Sequence, residues 1–218
     1  MKKGILLVMW LFVFLALKAY AYDNNDFQVW NTDVEEVKIN DRTKIALEEE
    51  FRWGDNAHQF YYHHYDLGLF YDLNKHLNVG AGYRQIYDLK SGHFKPEEAP
   101  YLTATLFGDW KGFKLDDRSR LEYRYFSYQS DSWRYRNKLT VKAPWKFTKF
   151  AIQPYVSDEV MAVFGVISQF NENRLSSGFS FNLTKNLKGE IYYMLRSVKG
   201  TDTWVYSNVL GTKLKIAF

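Results

Sequence analysis

The residues of this chain best suited to chemistry are guanidinium groups set at every second position. Arg118, Arg120 and Arg124 alternate along one segment with Glu122 between them, and Arg134, Arg136, Lys138 and Lys142 follow on the next. A guanidinium stays charged at biological pH and presents a planar fork of donors that matches a carboxylate or a phosphate. Acidic residues in the same alternation, Glu48, Glu50, Asp66, Asp88, Asp116, Glu122, Glu159 and Glu190, can answer them. Two outcomes are open. The rows can interlock as ladders that hold a shape, with Glu48, Glu50, Glu122 and Glu159 as the acidic partners. Alternatively Arg118, Arg120, Arg124, Arg134, Arg136 and Lys138 can leave a positive track that favours small anionic solutes.

Acid–base catalysis has one candidate cluster, His63, His64 and Asp66, with His58 nearby. On a strand His64 and Asp66 share a face and His63 points the other way, so only two of the three form a unit. No serine sits in a nucleophile context, and the chain has neither cysteine nor a His spacing that reads as a metal site. The expectation is a protein without catalytic residues, metal or cofactor, a hydrolase acting at the barrel rim being the lesser alternative. Phosphate-loop, dinucleotide and nucleic-acid signatures are absent from the sequence.

The elements that would carry these rows are strands. Of 218 residues, 46% are hydrophobic and 19% aromatic, which excludes a disordered chain. Residues 1–21 read as a secretory signal: Met1-Lys2-Lys3, an apolar stretch from Gly4 to Leu17, and Ala19-Tyr20-Ala21 before the expected cut at Tyr22. Without Lys2, Lys3 and Lys18, 26 of the 29 basic residues remain against 25 acidic ones, so the exported chain is close to neutral. Export without cysteine leaves disulfides out of the stabilising interactions. No later apolar run is long enough for a membrane helix.

From Tyr22 onward the pattern has period two. In Lys44 to Trp53, Ile45, Leu47, Phe51 and Trp53 share a face, with Glu49 as its exception. Tyr61, Tyr65, Leu67, Leu69, Tyr71 and Leu73 then alternate with Tyr62, His64, Asp66 and Gly68, and Leu77 to Tyr87 alternate likewise after the tight turn Asn74-Lys75-His76. Lys90 to Pro100, with Ser91-Gly92 and two prolines, reads as the longest loop. Further strands are expected at Tyr101 to Asp109, Phe113 to Tyr128, Trp133 to Trp145, Phe150 to Val163, Arg174 to Leu183, Gly189 to Val198 and Thr203 to Phe218, joined by alternating short and longer connections. Charged rows cannot lie on an apolar core face. The segments therefore form either a soluble sandwich or an antiparallel transmembrane β-barrel of about 10–12 strands over residues 22–218. Aromatic residues near strand ends and a last strand that alternates apolar residues up to Phe218 favour the barrel, with Phe218 as the assembly signal. About eleven segments are counted, including Phe27 to Val37. Single-chain bacterial barrels keep even numbers, which asks for ten strands or twelve.

Phe27-Gln28-Val29-Trp30, Phe51-Arg52, Gly82-Tyr83-Arg84, the Arg118 to Arg124 row with Leu121 and Glu122, Trp133-Arg134-Tyr135-Arg136, Asp158-Glu159 and Asn173-Arg174-Leu175 stand in an order that resembles the family catalogued as domain of unknown function 2490. The likeness covers nearly all of the chain after residue 21. It implies an outer-membrane β-barrel of Gram-negative-type bacteria with no established activity, so no catalytic residue is carried over. The expected partners are outer-membrane lipid, the barrel-assembly machinery and an anionic small solute, with no nucleic acid, for a chain that works as a monomer. The charged lumen also resembles that of small channels for acidic oligosaccharides, a likeness of architecture alone.

Overall fold

The computed structural model describes residues 26–165, 168–199 and 203–218; the leader read in residues 1–21 lies outside them. Eleven strands close a barrel in chain order: β1 (Asp26–Lys38), β2 (Thr43–Gly54), β3 (Gln59–Asn74), β4 (Leu77–Lys90), β5 (His93–Trp110), β6 (Phe113–Phe126), β7 (Ser132–Lys142), β8 (Gln153–Phe164), β9 (Gln169–Asn182), β10 (Leu187–Lys199) and β11 (Trp204–Ala217). Consecutive strands pair antiparallel, so each hairpin needs only a short turn. β1 and β11 run parallel and close the ring, with Val29 opposite Leu210 and Val34 opposite Lys215.

The alternation read in the sequence decides which side faces in. On β3, Leu67 and Leu69 are 57% and 51% exposed, while Asp66, directly before Leu67, is 4% exposed. On β6, Leu121 lies outside and Glu122 is wholly enclosed. Polar residues outnumber apolar ones in the buried set, and large apolar side chains crowd the exposed face, the inverse of a water-soluble sandwich. Closure also leaves no free strand edge.

Four expectations are corrected. The strand number is eleven, neither ten nor twelve, because β1 joins β11 in parallel and an odd number of strands can then close. Lys90 to Pro100 is not a loop: Ser91 and Gly92, both at positive φ, make a two-residue turn, and His93 already pairs with Lys90. The prolines are tolerated because each lacks its N–H where β6 offers nothing. Pairing of β5 with β6 begins at Glu97, just past Pro96, and skips Ala99 and Pro100. Connection lengths do not alternate as expected. The longest described connection, 143–152, lies at the same barrel end as Phe218 and folds back on itself through a Phe147–Ile152 bridge, so β8 starts at Gln153 rather than Phe150. Finally, Tyr61 does not lie outside with Tyr65. Arg52 pairs with Tyr62 and Trp53 with Phe60, and the bulge left at Tyr61 turns it inward, where its hydroxyl donates to Gln28 Oε1 at 2.8 Å.

The seam is closed on its outer side by a side-chain hydrogen bond, Thr212 Oγ1 to Asn31 Oδ1 at 2.8 Å. In an Asn31→Cys/Thr212→Cys variant of this cysteine-free chain, a short bismaleimide is expected to produce a cross-linked species seen as a gel shift of the denatured protein. A β1 that stayed outside the ring would leave the two thiols unlinked.

Candidate functional site

The interior is held by carboxylates shared between guanidinium groups of different strands. Asp66 on β3 accepts from Tyr101 Oη of β5 at 2.5 Å, Arg84 Nε of β4 at 2.8 Å and Arg120 Nη1 of β6 at 3.0 Å. Glu122 on β6, with 0% exposure, takes Arg134 Nε and, at 3.2 Å, Arg136 Nη1 from β7. Glu159 on β8 binds Arg136 at 2.8 Å, Arg118 at 3.0 Å and Arg174 at 3.5 Å. Glu97 receives two hydrogen bonds from Arg124, at 2.6 and 2.8 Å. Glu172 is clasped by Arg174 and Arg196, each at 2.7 Å.

These pairs share members and form one lattice. From Glu97 it runs through Arg134, Glu122, Arg136, Glu159 and Arg174 to Glu172 and Arg196, crossing β5 to β10. A branch leads from Glu122 through Arg120 and Asp66 to Arg84, Glu48 and Lys213, and so reaches β11. Trp30 joins β1 to it: the Arg52 guanidinium lies 3.6 Å from its ring centre, stacked also on Tyr62 at 3.9 Å, while Glu50 holds Arg52 in place. Cation–π contacts of this kind strengthen when water is excluded.

Each residue of the expected positive track has a definite place. Arg120, Arg124, Arg134 and Arg136 point inward, lie in the lattice and are neutralised there; Arg118 also pairs with Glu159 but remains partly exposed. Lys138 faces inward with no carboxylate within ion-pair distance among the described residues. Of the acidic partners, Glu48, Glu50, Glu122 and Glu159 all lie inside. His64 is inside and buried beside Glu48 at 3.4 Å, whereas His63 is outside, stacked on Tyr87 at 4.7 Å within an aromatic cluster that includes Phe60 and Phe94. Glu48, His64 and Asp66 bring donor atoms within 4.8 Å of one another, a spacing that could hold a metal ion. The surroundings argue against one, because Arg84 already bridges Glu48 Oε1 and Asp66 Oδ2, while Lys213 takes Glu48 Oε2 and the Tyr101 hydroxyl takes Asp66 Oδ1.

Glu97, Glu172, Trp30 and Tyr101 are lattice members that sequence reasoning did not place there. Glu97 fell in the expected loop and Glu172 before the expected start of its strand. The period-two row Glu97, Ala99, Tyr101, Thr103 was the available signal for β5.

A family described as "Protein of unknown function (DUF2490)" matches residues 27–207. The chain belongs to this family. The match spans the lattice from Trp30 to Arg196 and leaves Lys213, Lys215 and Phe218 beyond it. No curated protein and no solved structure matches the chain.

Removing one member of a buried ion pair leaves a charge that the interior cannot solvate, at a cost of about 3–5 kcal/mol. Glu122→Gln is therefore expected to lower the temperature at which the folded barrel unfolds in detergent far more than Asp109→Asn, whose Lys114 pair lies at the surface. The Tyr101 ring of β5 lies over Gly82 of β4 on its way to Asp66 of β3, and a Cβ on Gly82 would stand 2.3 Å from it. Gly82→Ala must displace that ring and break its bond to Asp66, so Gly82→Ala and Tyr101→Phe should destabilise comparably, by about 1–3 kcal/mol. Near-native melting of the glycine variant would contradict this coupling.

Proposed function

We propose that this member of the family is a monomeric outer-membrane β-barrel, exported by the leader at 1–21 and folded by the barrel-assembly machinery with Phe218 as its recognition signal, whose lumen is closed rather than open. The membrane reading is supported by the outer surface. Leu102, Leu106, Leu175 and Leu195 are among the many large apolar side chains there, at 65%, 56%, 50% and 42% exposure, far more continuous apolar area than a soluble monomer carries. Aromatic groups edge this belt at both ends: Trp53, Phe60 and Phe94 at one, Trp110, Phe113 and Trp145 at the other. That no helix is long and apolar enough to cross a membrane is compatible with this, since strands would do the crossing.

The observation that carries the closed-lumen reading is the enclosure of Asp66, Glu122 and Glu159 with Arg84, Arg120 and Arg136, each no more than 7% exposed, across the middle of the barrel. A conducting anion path needs charges that a passing solute can reach. Here the arginines that would line it are committed to carboxylates. The barrel is then a rigid outer-membrane scaffold, and the anion-selective channel read from the arginine rows is the alternative it displaces.

Folded protein reconstituted into lipid vesicles should resist extraction by alkaline carbonate. In planar bilayers at high salt it should show no steady conductance. Carbonate extraction would overturn the membrane reading; a stable ohmic, anion-preferring current would overturn the closed lumen and restore the channel.

A further inference from the structure

Between the lattice and the Phe218 end the lumen is not filled. A cavity of about 310 Å³ reaches down from Trp30, Arg52 and His64 to Lys138, Lys142 and Lys213. A second, of about 290 Å³, is lined by Val34, Lys142, Lys188, Glu190, Lys213 and Lys215. They share Lys142, Glu190 and Lys213 and so form one basin, walled in part by the lattice members Glu48, Arg84, Arg136 and Glu159 and extending to the end where Phe218 lies.

The charges around this basin are unlike those in the lattice above it. Among the described residues, Lys138, Lys142 and Lys188 have no carboxylate within 4.0 Å. Lys215 shares Glu36 with Lys44, and Arg118 shares Glu159 with Arg136 and Arg174, so neither is fully neutralised. Asp116 and Glu190 also face the basin without a lysine or arginine partner; Glu190 accepts only from Tyr155 Oη at 3.3 Å. The cations still outnumber them. A second observation points the same way. Arg118 and Ser157 line the basin, and Arg118 Nε and Ser157 Oγ are buried polar atoms with no hydrogen-bond partner among the described residues. Buried donors of this kind are ordinarily satisfied.

We propose that this basin is a binding site for a compact multivalent oxyanion, a phosphate or a polycarboxylate, held by Lys142 and Lys188 toward the mouth and by Lys138, Arg118 and Ser157 at the wall. Lysine ammonium groups on flexible stems suit such a ligand because they move to the oxygens, whereas the fixed forks above are already occupied. The site takes only Arg118 and Lys138 from the positive track, whose other members are committed to the lattice, and it does not require the barrel to conduct.

Purified folded protein in detergent at low ionic strength is titrated calorimetrically with inorganic pyrophosphate and, separately, with citrate. Saturable binding of at least one, near one per barrel, is expected, weakened at least tenfold in Lys138→Gln/Lys142→Gln and severalfold in Lys188→Gln, with Lys75→Gln in an exposed turn unchanged. Preference between the probes assigns phosphate or carboxylate chemistry. No saturable binding of either probe overturns the proposal. So does binding that Lys188→Gln, at the rim where folding is least at risk, and the double variant leave unchanged. A conducting pore in bilayers would overturn the closed-lumen reading without touching this result.

Discussion

The structure depends on the pairing of guanidinium with carboxylate inside a closed wall of strands. A barrel that places its apolar side chains outside must put its polar ones within, and charges removed from bulk water are costly unless each meets an opposite charge in good geometry. Here that requirement is met by sharing. Asp66, Glu122 and Glu159 each serve two or three arginines, and most of those arginines serve two carboxylates. The result ties nonadjacent strands to one another across the lumen, a restraint that the backbone ladder, which links neighbours only, does not supply. Gly82 and Tyr101 show how far the wall is shaped to it: a side chain is absent on β4 so that a ring from β5 can lie across to Asp66.

This lattice also divides the interior. Above and within it charge is balanced and packed; toward the Phe218 end the acidic partners thin out and lysines face open space. In the reading proposed for it, a single barrel combines a closed septum with a basin on one side, and binding and conduction become separate properties. The short, saturated contacts of the septum favour a fixed geometry, while lysines without partners favour an exchangeable ligand.

The seam follows from the same constraint of closure. Eleven strands cannot close with every neighbour antiparallel, so one pair must be parallel, and it joins the first strand to the last. β1 is held there by more than its backbone ladder. Trp30 is capped by Arg52 and approached by Arg174, Glu36 pairs with Lys215, and Asn31 receives Thr212. The even-number expectation failed because it treats hairpin pairing as the sole means of closure.

Much of this was legible in the residues themselves. Strict alternation fixes which side chains share a face, because successive residues of a strand point to opposite sides, and it separated Arg118, Arg120, Glu122 and Arg124 from Leu121, Tyr123 and Tyr125 without reference to any neighbour. The turn at Asn74-Lys75-His76 was equally local. What alternation cannot specify is which strand lies opposite across the lumen. Whether an arginine is free or neutralised depends on that, so the row from Arg118 to Arg136 read equally well as an open track or as a ladder. Glu97 and Glu172 escaped because turn-like residues hid the extensions of β5 and β9. The sequence by itself determined the two faces of the wall; only the tertiary structure decided that the arginines are spent on carboxylates while Lys138, Lys142 and Lys188 are not, because that depends on barrel closure and register, which bring distant strands within the reach of a salt bridge.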